Sequence, residues 1–142
     1  MRFFYLSFKE WKNLDKDIKD KFIFLSTAYT TPMYWDGKDF FPFVPSKELF
    51  KDACINFEKS NFEERYKQQI FSLDRNAILN QLKEEYQNKD IVFLVWEDET
   101  KGSERDIFIP WLTNSSIKDI KNYSFLRRQD EIKYHSEDFF NL

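Results

Sequence analysis

The chain has 142 residues, of which 42% are hydrophobic, 33% charged and 20% aromatic. That is enough for one domain with one core, and its large rings bury much area per residue. A net charge of −3 with scattered Lys and Arg excludes a generic phosphate-backbone binder, which needs a basic surplus or a dense basic face.

The single cysteine, Cys54, excludes an internal disulfide and suits a reducing compartment. No run of 18 apolar residues is present, so no membrane span is expected. The first residues, MRFFYLSFKEW, are too short an apolar run for a secretory signal. A cytoplasmic location is the expectation.

Residues 3–8 are apolar and aromatic and read as a first strand. Residues 9–20 are charged, with Trp11, Leu14 and Ile18 at helical spacing, and read as an amphipathic helix or helical connection. Residues 22–27, FIFLST, are a second buried strand. Two strands joined through a helix imply a parallel pair. Residues 28–45 carry Pro32, Gly37, Pro42 and Pro45 and read as an irregular loop.

Ser46 is a good N-cap for the segment KELFKDACINF, whose apolar stripe is Leu49, Phe50, Ala53 and Phe57. On that helix Cys54 reads as a small core residue rather than a reactive thiol. Asn61 and Glu64 have the spacing of a capping box for a helix over 61–71 with Phe62, Tyr66 and Ile70 on one face. Asp74 caps a longer helix over 75–87. After a turn at 88–90, residues 91–96 form a strand that ends beside Glu97.

The loop 98–102 leads to Ser103-Glu104-Arg105-Asp106 at a helix start. Lys101-Gly102-Ser103 can offer amides and a hydroxyl to an anion. Glu104 and Asp106 oppose that charge, and an ordinary loop and cap is the simpler reading. Pro110 falls inside the helix, where it removes a backbone bond. Asn114-Ser115-Ser116 cap a short helix through Asn122, and residues 123–142 form a late strand or extended tail.

Chemistry-bearing motifs are sparse. One Cys and one His, Cys54 and His135, lie far apart, so no zinc site is expected, and no metal or cofactor is assigned. His135 sits in the polar tail and reads as exposed rather than catalytic. The two glycines, Gly37 and Gly102, make no phosphate loop. Tyr29, Tyr34 and Trp35 follow a strand end, where rings either stack on a base or sugar or cover the sheet.

The ordered pieces STAYTTPMYW, VPSKELF, FEERYKQQI, ILNQLKEEY and IVFLVWE resemble the domain-of-unknown-function 488 family of small cytosolic α/β proteins. The resemblance covers most of the first 112 residues. Members typically carry Cys two residues before the strand-end Glu, and Cys-His-Arg at the start of the last core helix. Here those positions hold Val95 and Ser103-Glu104-Arg105. Glu97 and Arg105 remain. The resemblance implies a fold and a crevice rather than a reaction, by fold-level analogy with nucleotide-processing Rossmann-like proteins.

The expected fold is one three-layer, Rossmann-like α/β domain, a mostly parallel sheet with helices on both faces. Residues 1–112 form the family-like core, and 113–142 an extension packed on it. The crevice should lie at the strand C-terminal ends. Its expected ligand-binding residues are Ser26, Tyr34, Trp35, Glu97, Ser103 and Arg105.

The expected function is binding of an anionic small molecule, a nucleotide or sugar phosphate, by a pseudoenzyme in which Arg105 holds the anion. One alternative is a protein-binding accessory factor, such as a phage or mobile-element inhibitor of a host protein, marked by an exposed aromatic patch at 40–43. Another is a nucleoside- or nucleotide-processing enzyme using Glu97.

Overall fold

Ile91–Val95, the strand called β4 below, is apolar at every position and wholly buried. Such a run suits a strand covered on both faces. A computed structural model describes residues 1–128 and places β4 inside a four-stranded sheet. The other strands are β1 (Phe3–Ser7), β2 (Ile23–Ser26) and β3 (Lys38–Asp39). Their spatial order is β1-β4-β2-β3, and every pairing is parallel. Ile91 is opposite both Phe3 and Ile23, so three strands start in register.

Parallel neighbours need crossovers, and helices supply two of them. Helices α1 (Phe8–Lys12) and α2 (Lys16–Lys21) link β1 to β2. Helices α3 (Lys47–Ile55), α4 (Phe57–Ser60), α5 (Phe62–Phe71) and α6 (Arg75–Tyr86) link β3 to β4. Helix α7 (Arg105–Thr113) follows β4.

Alternation along the strands divides the core into two layers. Tyr5, Leu25, Ile91, Phe93 and Val95 face Leu49, Tyr66, Ile70, Leu82 and Phe108 on the α3–α7 side. Phe4, Leu6, Val92 and Leu94 face Phe8, Trp11, Ile18 and Phe125 on the other. The chain is therefore a three-layer α/β fold.

Several local expectations change. The charged segment at 9–20 is two short helices, because Ser7 and Glu10 form a reciprocal cap that starts a helix early. Asn61 does not cap α5 through its side chain; it adopts φ 52° and turns the chain between α4 and α5. Cys54 is exposed, because only Leu49 of α3 is fully buried and the rest of the stripe turns toward a cleft. Phe57 begins a separate helix after Asn56.

Pro110 is held within α7, where Asp106 loses its backbone partner while the Pro110 carbonyl accepts from Ser115. Ser116 caps a 3-10 turn over Ile117–Tyr123. Ser124 then bridges Tyr5 in parallel. His135 and the tail from residue 129 lie outside the described residues. No helix among the described residues is long and apolar enough to cross a membrane.

Candidate functional site

The C-terminal end of β4 opens onto a cleft walled by α3, α4, α5 and the segment that leads into α7. Its volume is about 510 Å³. Phe50, Phe57, Phe62, Trp96 and Ile107 supply apolar walls, while Glu97, Glu104 and Asp106 supply carboxylates. Lys67 and Glu63 stand on the α5 side, and Cys54 on α3. A smaller recess of about 70 Å³ adjoins it beneath Thr27, Tyr29 and Val95. Phe50, Phe62, Trp96 and Glu104 border both spaces.

Local chemistry fixes the walls. Tyr66 is fully buried and donates its hydroxyl to the Phe43 carbonyl at 2.5 Å, tying α5 to the turn before α3. Gln69 donates to the Val44 carbonyl at 2.7 Å and accepts from the Ser46 amide at 3.0 Å, so the same helix holds the α3 entrance. Tyr29 stacks on Phe50 with centroids 4.3 Å apart. The Trp96 indole donates to the Thr30 carbonyl at 2.8 Å, which fixes its ring at the cleft edge.

Arg105 is the buried centre of the loop beneath the cleft, with only 2% exposure. Its Nη1 donates to the Glu97 carbonyl at 3.0 Å and its Nη2 to the Lys101 carbonyl at 2.5 Å. The guanidinium sits 4.3 Å from the Tyr5 ring centroid. Asp106 lies 3.6 Å from Nε. The expected ligand-facing arginine is thus turned inward, because the bend after β4 leaves carbonyls that need donors. Ser103 serves the same bend. Its Oγ accepts from the Arg105 amide at 3.2 Å, and Asp106 accepts from the Ser103 amide at 3.3 Å. These bonds brace the turn that enters α7, whose N-cap residue, Glu104, makes no side-chain cap bond.

Glu97 and Glu104 do line the cleft. One oxygen of Glu97, Oε2, is buried without a hydrogen-bond partner among the described residues. Burial pushes the Glu104 carboxyl above its ordinary range, and the nearby Glu97 charge adds to that rise. A buried carboxyl beside a second carboxylate can hold a proton or accept from a ligand donor.

The other expected residues fall elsewhere. Ser26 is fully buried, and its Oγ accepts from the Ala28 amide at 3.2 Å, closing the turn after β2. Trp35 packs edge-on against Phe8 and Trp11, with centroids 5.9 and 4.9 Å away, on the opposite side of the sheet. Gly37 is required beneath it, since an added Cβ would lie 2.4 Å from the indole. Tyr34 lies parallel to Trp11 at 6.4 Å with Lys12 over its ring. Both rings cover the α1 layer rather than the cleft. Of the six expected residues, Glu97 and Ser103 border the cleft.

Glu104, Trp96, Phe57 and Phe62 also line the cleft, beyond the six expected residues. No signal set the two phenylalanines apart: Phe57 shares the apolar stripe of Leu49 and Phe62 that of Ile70, so both read as core. The expected aromatic patch at 40–43 is mostly core, with Phe40 at 4% and Phe43 at 0% exposure and only Phe41 outside.

Among the described residues no cluster of His, Cys, Asp and Glu is arranged to hold a metal ion. No family model, curated protein or solved structure matches the chain.

Proposed function

We propose that the protein binds a small ring-bearing ligand, neutral or cationic, in the cleft between α3–α5 and the start of α7. The observation that carries this reading is a ring-lined cleft of about 510 Å³ with Glu97 and Glu104 in its wall and Arg105 withdrawn beneath it. The volume lies within the roughly 300–1,000 Å³ of small-molecule pockets. Among the described residues, four acidic side chains, Glu63, Glu97, Glu104 and Asp106, border it against the single Lys67. That balance favours a cation or a hydroxyl donor over the phosphate suggested by Arg105 in the sequence. Aromatic walls suit a flat ring or a cation over a ring face. The kinship with the domain-of-unknown-function 488 family and a cytoplasmic location are part of the same proposal.

A thermal-shift comparison of benzamidine, adenosine and adenosine monophosphate tests it. Benzamidine or adenosine should stabilise more than the monophosphate, and Glu97→Gln or Glu104→Gln should remove the difference. Absence of any shift, or the largest shift with the monophosphate, would overturn the reading.

A protein partner is the second reading, because Phe57 and Ile117 along the same cleft are 63% and 56% exposed. It requires a bound protein whose capture is lost with Phe57→Asp.

A further inference from the structure

We propose that a second cleft, at the opposite end of the sheet, binds a small molecule with an oxyanion, phosphate or carboxylate, on an apolar or ring-bearing body. This cleft opens where β1 begins, between the start of α6 and the end of α7, and its volume is about 540 Å³. Arg2, Arg75 and Arg128 line it beside Phe3, Phe4 and Leu79. No Asp or Glu lines it among the described residues. In a chain of net charge −3, this cleft presents the Arg75 guanidinium with no carboxylate lining it among the described residues.

Arg75 carries the inference. Its Nε donates to the carbonyls of Trp111 and Leu112 at 3.1 and 2.9 Å, at the end of α7. Those bonds hold the guanidinium in place without neutralising it. None of the ion pairs among the described residues includes Arg75. Its two Nη groups make no hydrogen bond among the described residues. They leave a fork of donors, the arrangement that grips a carboxylate or phosphate at two points.

Arg2 is engaged by Asp90 through Nε at 3.0 Å and Nη2 at 2.6 Å, so it contributes residual field rather than a free fork. Arg128, itself partnered, completes the wall. Phe3, Phe4 and Leu79 offer the apolar side of the cleft, which a bare inorganic ion cannot use.

The test is calorimetric titration of the full chain with phenyl phosphate, benzoate and inorganic phosphate. Phenyl phosphate or benzoate should bind saturably at one site, tighter than inorganic phosphate, and whichever is tighter identifies the anion. Arg75→Gln should weaken binding roughly tenfold or more, the loss expected for a charge-assisted bidentate contact. Because Arg75 also holds the end of α7, a second variant is needed that spares those bonds. Asn122→Asp, at an exposed wall position, puts a carboxylate into the cleft and should weaken binding by a similar factor. Glu97→Gln should leave it unchanged, which separates this site from the α3–α5 cleft. Absence of saturable binding by all three probes, binding unaltered in both cleft variants, or binding lost with Glu97→Gln would overturn the inference.

Discussion

Arg105→Leu separates a scaffold role from a ligand role. The substitution removes donors from the Glu97 and Lys101 carbonyls, at 3.0 and 2.5 Å, and the cation held 4.3 Å from Tyr5. Each charge-assisted hydrogen bond contributes about 1.5–3 kcal/mol, and the ring contact about 1 kcal/mol. Leucine recovers part of this, because a buried guanidinium costs several kcal/mol to desolvate. A net loss of about 3 kcal/mol follows, a drop in Tm of roughly 10 °C for a domain of this length. Arg105→Lys should recover only part of the loss, since one ammonium cannot reproduce the planar fork.

Urea unfolding followed by circular dichroism measures this directly. Unfolding midpoints of wild type and Arg105→Leu that agree within about 0.5 kcal/mol, the range of ordinary surface changes, would refute the scaffold assignment. Phosphate binding by the wild type that disappears in that stable variant would restore the anion-holding role.

Glu104 predicts a pH effect. Its carboxyl keeps its proton to higher pH when folded than the ordinary 4.5, with burial first and Glu97 among the further causes. Its contribution is therefore fully present below that value and is lost as pH rises through the raised folded value. Glu104→Gln should flatten this part of a stability–pH curve measured by urea midpoints.

Asp90 runs the other way. Burial pushes its carboxyl up, but hydrogen bonds and charge from Arg2 outweigh it and hold it below 3.8. Its contribution is present above 3.8 and fades as pH falls through the depressed value. With the Arg2 side chain 52% exposed, Asp90→Asn should cost about 1 kcal/mol or less at neutral pH in the same assay. Trp35→Ala should lower stability by about 2–3 kcal/mol through lost packing against Phe8 and Trp11, yet leave benzamidine affinity in the α3–α5 cleft unchanged by titration.

The fold was largely legible because its signals are local. Apolar runs at 3–8, 22–27 and 91–96 gave β1, β2 and β4, and the helical spacings between them implied crossovers and hence parallel pairing. β3 was not legible: two exposed residues, Lys38 and Asp39, pair with Leu25 and Ser26 without an apolar pattern.

The site was legible only in place. The end of β4 does border the crevice, and Glu97 stands in it. Side-chain direction was not legible. Arg105 and Ser103 read as anion donors because the sequence does not show that the bend at 97–105 consumes their hydrogen bonds. Tyr34 and Trp35 follow β2 in sequence, but the loop carries them to the α1 face. Glu104 looked like a charge opposing a ligand until burial put it in the cleft wall.

Cys54 is a built-in probe of ligand binding in the α3–α5 cleft, because it is the only cysteine, is exposed and lines that cleft. The rate of its alkylation by iodoacetamide reports occupancy of that cleft. Benzamidine should slow alkylation saturably, Glu97→Gln should weaken the protection, and adenosine monophosphate should protect less. Alkylation at one rate with and without each compound, or strongest protection by adenosine monophosphate, would contradict the proposed binding.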